Sequence, residues 1–353
     1  MSGTMLAVVL EAWGTEPVLR ELSVPEPPPG GVLLQVTAAG MCHSDLHVAD
    51  APAGRLPFEP PFVLGHEVAG TVVATGAGVD PAWEGRPVVV HGVWGCGDCR
   101  RCRQGRENYC LLRGARIGCG LGFDGGLAEY MVVPATRHLV PADGLDPVLA
   151  APLTDAALTA FHATAPYLAD LDAESRVLVV GAGGLGHFAV QLLAPTPATV
   201  VVVDPKTEAR DLAASLGADS VLPDLDAAVA GAQDPEQRFD LVLDFVGATP
   251  TMTGALDVLA HGGDAVVVGG AGGELMVGKL LGFPHGWSVA APFWGSHRDL
   301  QAVVDLARRG SLHAHTQTFA LTDTLDAYAR LRAGEISGRA VVVPTPAGAT
   351  AGA

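Results

Sequence analysis

Arg176-Val-Leu-Val-Val-Gly-Ala-Gly-Gly-Leu-Gly186 is the stretch that decides how this chain folds. Arg176–Val180 is a short, valine-rich apolar run, the pattern of a strand buried on both faces. The glycines that follow at once are spaced Gly-x-Gly-x-x-Gly, and a helix is expected to start at His187. Strand, glycine loop and helix in that order make a dinucleotide fingerprint. Gly181 makes the turn, Gly183 lets the backbone approach a pyrophosphate, and Gly186 lets helix and strand pack closely. Gly184 and Leu185 complete the loop, and the helix N-terminus meets the phosphates. A second strand ends in Asp204, about 20 residues on, where an acid holds the adenosine ribose. A carboxylate there repels a 2′-phosphate, so NAD is expected over NADP.

The alternation continues downstream. Strands are expected at Val200–Asp204, Ser220–Leu222, Asp240–Phe245 and Ala265–Gly269, with helices between them. Such alternation predicts a parallel sheet covered on both faces. Upstream, Met5–Leu10, Val32–Ala38, Val68–Thr75, Arg86–Val90, Tyr130–Val133 and His138–Val140 read as short strands divided by Gly and Pro. Pro152–Ala165 reads as helix, as does Asp299–Arg309, and Arg339–Val343 as a closing strand before an Ala/Gly/Pro tail from Pro344.

With 353 residues the chain exceeds one ordinary core, and its 49% apolar content supplies two. A net charge of −17 argues against nucleic acid and anionic membranes, because both are bound by clustered cations. No run approaches a transmembrane span, and Met5–Leu10 is shorter than a secretory apolar region, so a cytoplasmic protein is expected. Four of the six cysteines, Cys96, Cys99, Cys102 and Cys110, are clustered. In a reducing compartment such clustering points to a closed four-thiolate structural zinc, not to disulfides.

A second set of metal donors is spread along the chain. Gly40-Met-Cys-His-Ser-Asp-Leu-His47 offers the Cys42 thiol, the Ser44 hydroxyl and the His47 imidazole. If it opens a helix, Ser44 and His47 lie one turn apart. His66 and Glu67 follow about 20 residues later, and Asp155 closes Pro152-Leu-Thr-Asp155. Read singly, each has an ordinary alternative: a core histidine, a surface acid, a first-turn acid favoured by the helix dipole.

Together these segments resemble the zinc-dependent medium-chain alcohol dehydrogenases, especially their bacterial NAD-dependent secondary-alcohol branch. The likeness runs over nearly the whole chain, through the 40–47 stretch, Gly65-His66-Glu67, the four cysteines, Pro152–Asp155, the glycine fingerprint, Trp294-Gly295 and Gly338–Val343. It implies an α/β protein: a GroES-like β-rich catalytic domain over 1–155, with a zinc lobe at about 91–116. A six-stranded Rossmann domain for NAD then covers 156–291, and 292–353 returns to the first domain. It also implies Cys42, His66 and Asp155 as catalytic zinc ligands, Glu67 near enough to enter the shell, and Asp45 orienting His66. Ser44 and His47 match the family's proton relay, Arg339 its pyrophosphate contact, and Val268 joins the cofactor residues. Phe58, Leu121 and Trp294 match the substrate wall. Two departures stand out: many relatives carry Cys where Asp155 stands, and Ala209 occupies a position often basic, with Lys206 and Arg210 as substitutes.

The reaction expected is interconversion of alcohols and ketones or aldehydes by hydride transfer to and from NAD, with two zinc ions per chain. The substrate expected is a small-molecule alcohol or ketone, medium-sized and apolar, and the assembly a homodimer or homotetramer. A dedicated biosynthetic dehydrogenase of the same family is the nearest rival. A zinc-free enone or quinone reductase would have no use for Cys42, His66 or the cysteine lobe. A non-catalytic NAD-binding sensor would have no use for Ser44 and His47.

Overall fold

The computed structural model describes residues 3–278, 282 and 284–344. The tail after Pro344 lies outside them. The chain forms two compact units, one of residues 1–155 and 296–353 and one of residues 156–295. The second is thus inserted, in sequence, between two parts of the first.

In the inserted unit the valine-rich runs form one six-stranded sheet, parallel throughout. Its order is Ser220–Leu222, Thr199–Val203, Arg176–Val180, Phe239–Asp244, Leu259–Val267, Ser288–Ala290. Counted along the chain that is 3-2-1-4-5-6, the doubly wound arrangement. The order reverses at Arg176–Val180, so the glycine loop leaves the sheet at the switch point where such folds bind ligands. Leu178, Val180, Val201, Val203, Val242 and Leu256 belong to one buried cluster beneath it. Burying both faces of these strands is what an unbroken apolar run requires.

The other unit is β-rich. Its larger sheet runs Leu139–Pro141, Pro87–Val90, Glu67–Thr75, Val32–Met41, Arg339–Val343, Thr316–Ala320, and Tyr130–Val133 also pairs with Val32–Met41. Val32–Met41 is therefore central, and it is buried at all but two positions. A three-stranded sheet places Thr4–Leu10 between Val18–Ser23 and Phe62–Val63.

Several elements differ from the sequence reading. The helix expected over Pro152–Ala165 is two elements: a 3₁₀ turn at Ala151–Thr154 and an α-helix at Ala156–Thr164. Asp155 separates them with φ −135° and ψ −62°, outside the helical region, which turns its carboxylate away from a helical path. The strand expected at Ala265–Gly269 begins earlier, at Leu259, with a register shift against Phe239–Asp244. Val18–Ser23, Thr316–Ala320 and the helix Thr324–Arg332 had no sequence signal strong enough to mark them. Among the described residues, no helix is long and apolar enough to cross a membrane.

Candidate active site and metal centres

The Gly40–His47 stretch leaves the central strand at Met41 and enters the helix His43–Ala49, with Cys42 as N-cap. Asp45, three residues on, accepts the Cys42 N–H through Oδ2 at 2.9 Å and satisfies one donor of the helix start. The other oxygen of Asp45 lies 3.0 Å from His66 Nδ1. One buried acid therefore fixes both the backbone of Cys42 and the ring of His66. Gly65, with φ +95°, makes the approach to His66 possible, since a Cβ there would meet the Leu127 nitrogen at 2.7 Å.

His66 Nε2 lies 3.5 Å from Asp155 Oδ2, and donor atoms of Cys42, His66 and Asp155 all fall within 4.8 Å of one another. All three residues are buried. Burial opposes a charge on His66, but the Asp45 and Asp155 carboxylates more than offset it, and its pKa rises well above the ordinary value. These surroundings favour a cation. Three donors of mixed sulfur, nitrogen and oxygen type, with His66 Nε2 and Asp155 Oδ2 close to the ~3.3 Å edge of a tetrahedral zinc shell, fit that ion with a fourth position left over.

Ser44 is half-buried, and its Oγ lies 3.5 Å from Cys42 Sγ. His47, one turn further, is exposed. The structure thus brings the hydroxyl to the metal donors and leaves the imidazole at solvent.

Glu67 is completely buried and shares its carboxylate with Arg339, whose Nε donates to Oε2 at 3.0 Å and whose Nη2 donates to Oε1. The same Nη2 reaches Asp155 Oδ2 at 3.3 Å. Burial pushes the Glu67 carboxyl up to about 7, against the pull of Arg339. Arg339, matched in sequence to a pyrophosphate contact, is in this structure bonded to two acids of the metal region. Sequence reading missed that pairing because Glu67 and Arg339 are 272 residues apart.

Cys96, Cys99, Cys102 and Cys110 also converge. Their sulfurs stand 3.6 Å apart for Cys99 and Cys102, and 3.9 Å apart both for Cys96 and Cys102 and for Cys99 and Cys110. A disulfide needs about 2.05 Å. A tetrahedron of thiolates at 2.3 Å from zinc has edges of about 3.8 Å. The lobe has the second geometry, and the cysteines are free thiols. Backbone N–H groups aimed at Cys96 and Cys99 lower both pKa values, that of Cys99 to about 6, toward the thiolates a metal needs, whereas burial pushes the Cys102 thiol up to about 12.

In the inserted unit, Gly181 has φ +86° and nothing stands within 4 Å of a Cβ built at Gly183. A Cβ at Gly186 would lie 1.8 Å from the Gly181 oxygen. The helix starts at Gly186, one residue before the sequence estimate, with Leu185 as N-cap. Turn, open approach and tight packing are the three roles the fingerprint requires, and together they fit a pyrophosphate. Asp204 is buried and accepts N–H bonds from Ala182 and Lys206, both at 2.9 Å. Arg210 donates to the Asp204 carbonyl at 2.7 Å, so it is fixed beside the acid. Val268 donates its N–H to the Asp244 carbonyl at 2.8 Å. Asp244 itself, not singled out in sequence, takes N–H bonds from Val246 and Gly247 and the Thr251 hydroxyl, and so holds the loop that packs on Gly181.

Of the three residues matched to the substrate wall, Phe58 packs with Trp13 and Phe62 at centroid distances of 5.9 and 5.6 Å. It also abuts Gly122, the neighbour of buried Leu121. Trp294 belongs to the inserted unit and is buried with φ +55°, a left-handed conformation uncommon for a bulky residue.

Residues 28–144 match the model of the alcohol dehydrogenase GroES-like domain, and residues 184–309 that of zinc-binding dehydrogenases. The chain is 32% identical to an NAD-dependent alcohol dehydrogenase of Sulfolobus acidocaldarius, over 97% of this chain and all of that protein. Among solved structures, it is similar to acetophenone reductase from Geotrichum candidum in complex with NAD, with TM-score 0.85 and 34% identity over 96% of this chain and 97% of that one. A cobalt- and zinc-bound thermostable alcohol dehydrogenase from Pyrobaculum aerophilum gives TM-score 0.83 and 32% identity over 97% of this chain and 100% of that one. The chain belongs to the zinc-dependent medium-chain alcohol dehydrogenase family, with its GroES-like and Rossmann architecture.

Proposed function

We propose that this protein interconverts alcohols and ketones or aldehydes, with NAD as hydride carrier. The observation that carries this is the buried convergence of Cys42, His66 and Asp155 with Ser44 at its edge. Cys42, His66 and Asp155 hold the catalytic zinc, and Cys96, Cys99, Cys102 and Cys110 hold a structural one. When bound, the catalytic ion supplies a Lewis acid that lowers the pKa of an alcohol. Asp45 keeps His66 in the tautomer that presents Nε2 inward. Ser44 accepts the hydroxyl proton as it gives up its own, and His47 releases a proton to solvent. The glycine loop, Asp204 and Val268 hold the dinucleotide. Phe58 and Leu121 give the substrate an apolar wall, which favours secondary or medium-sized apolar alcohols, as does the likeness to an acetophenone reductase.

The catalytic domain is taken as 1–155 with the return segment 292–353, its zinc lobe as about 91–116, and the NAD domain as 156–291. A homodimer or homotetramer is supported by the edge strand Ser288–Ala290, which pairs on one side only among the described residues and carries an exposed Val289. A cytoplasmic location is supported by six free cysteines. A panel of primary and secondary alcohols, aldehydes and ketones, assayed with NAD and NADP, tests the activity. Absence of turnover across the panel by zinc-replete protein would remove it.

A further inference from the structure

The glycine loop is built almost without side chains, and something must still hold its peptides. Gly183 and Gly184 follow one another, and a Cβ built at Gly183 meets nothing within 4 Å, so packing does not fix the backbone there. The Gly183 carbonyl is nevertheless tied. His187, at the second position of the helix Gly186–Leu193, turns its ring back over the helix start, and Nδ1 lies 2.8 Å from the Gly183 oxygen. A carbonyl only accepts, so Nδ1 carries the proton and donates it. The backbone N–H of His187 reaches the same oxygen at 3.3 Å, which is long for such a bond. The side chain therefore makes the closer contact. His187 is completely buried, and its ring packs on Phe188 at a centroid distance of 4.0 Å. One turn on, Gln191 Nε2 donates to the His187 carbonyl at 3.0 Å, so side chains on one face pin two successive turns.

We propose that His187 is a positioning residue for the dinucleotide, acting through the Gly183–Gly184 peptide. That peptide is planar and trans, so its oxygen and the Gly184 N–H point in opposite directions. Anchoring the oxygen toward the helix aims the Gly184 N–H the other way, out of the helix N-terminus where a pyrophosphate is met. The imidazole itself touches no phosphate. It sets the direction of a backbone donor, and it orders two adjacent glycines before the cofactor arrives.

The inference rests on the dinucleotide reading of the loop, and binding measurements separate the two. NADH is titrated by its fluorescence into zinc-replete parent, His187→Phe and His187→Asn, and ADP-ribose and adenosine are used to displace it. Phe keeps a ring and removes the donor, whereas Asn places an amide N–H where Nδ1 stands. His187→Phe should bind NADH and ADP-ribose about 3–10-fold more weakly, the effect of one net hydrogen bond, and should bind adenosine, which carries no phosphate, as the parent does. His187→Asn should return both pyrophosphate ligands to near the parent affinity. If His187→Phe does not accumulate, His187→Leu replaces it with the same expected losses. Parent affinity for ADP-ribose in the Phe or Leu variant, an equal loss for adenosine, or an Asn variant that binds no better overturns the role of His187. A parent that binds neither NADH nor ADP-ribose overturns the dinucleotide reading and this role with it.

Discussion

Replacing Asp204 by asparagine removes one charge and almost no volume. In the parent each carboxylate oxygen is bonded to a backbone N–H at 2.9 Å, one from the glycine loop and one from Lys206. The carboxylate is therefore held in place and cannot swing away from a 2′-phosphate. For a dianion about 5 Å away at an effective dielectric constant of about 40, Coulomb's law gives roughly 3 kcal/mol, or ~150-fold, against NADP. Arg210, pinned to the Asp204 carbonyl, is a ready partner for the extra phosphate once the acid is gone. In Asp204→Asn the ratio of kcat/KM for NAD over NADP should fall from about 100 or more to below about 10. The amide accepts only one of the two N–H bonds well, so the glycine loop should loosen, at a cost of about 1–3 kcal/mol. That loss should appear as weaker NAD binding. The assay is kcat/KM for both cofactors with one alcohol, on parent and variant. Equal efficiency in the parent, or an unchanged ratio in the variant, would refute the electrostatic reasoning.

Metal analysis of protein purified without chelator should find two zinc ions per chain. Cys110→Ser should lose only one of them and lower thermal stability, measured by the unfolding midpoint. His47→Gln should keep its zinc and NAD binding but lose about 10–100-fold in alcohol oxidation, first below neutral pH; a pH–rate profile that merely scales would rule out a relay. His138 is buried against Trp94, and burial, then the charges of Arg137, His91 and His297, depress its pKa to about 3. The unfolded chain then binds one more proton than the folded one between about pH 6.5 and 3. Stability through this group is thus complete above about 6.5 and falls by up to about 1.4 kcal/mol per pH unit as acid is added. Denaturant titrations of the parent and His138→Asn should differ in slope against pH across that window.

The inserted unit was readable because its information is local. Arg176–Val180, Gly181–Gly186 and Asp204 lie in one short stretch, and apolar strands alternating with helices leave few other arrangements. The cysteine lobe was readable for the same reason. The strands Val18–Ser23 and Thr316–Ala320 were not, because they lie at sheet edges and most of their side chains are only partly buried. A half-exposed edge has little apolar periodicity to read. Pro152–Ala165 had helical composition throughout, and only tertiary demand for the Asp155 carboxylate breaks it in two. The metal donors were recoverable by resemblance, but the partnership of Glu67 with Arg339 was not. It depends on Gly40 having no side chain and on a strand pairing that no single segment displays.

The insertion of residues 156–295 between the two parts of the first unit has a consequence for synthesis on the ribosome. The inserted unit is continuous and has all its strands as soon as it emerges. The β-rich unit must wait, because Arg339–Val343 pairs directly with the central strand Val32–Met41 and is made some 300 residues later. During that interval the central strand has an open edge, and Glu67 lacks its counter-charge. A nascent chain halted before residue 339 would therefore carry a finished nucleotide module beside an unfinished sheet. That intermediate is the point in the life of this protein at which chaperone capture or aggregation would act most strongly.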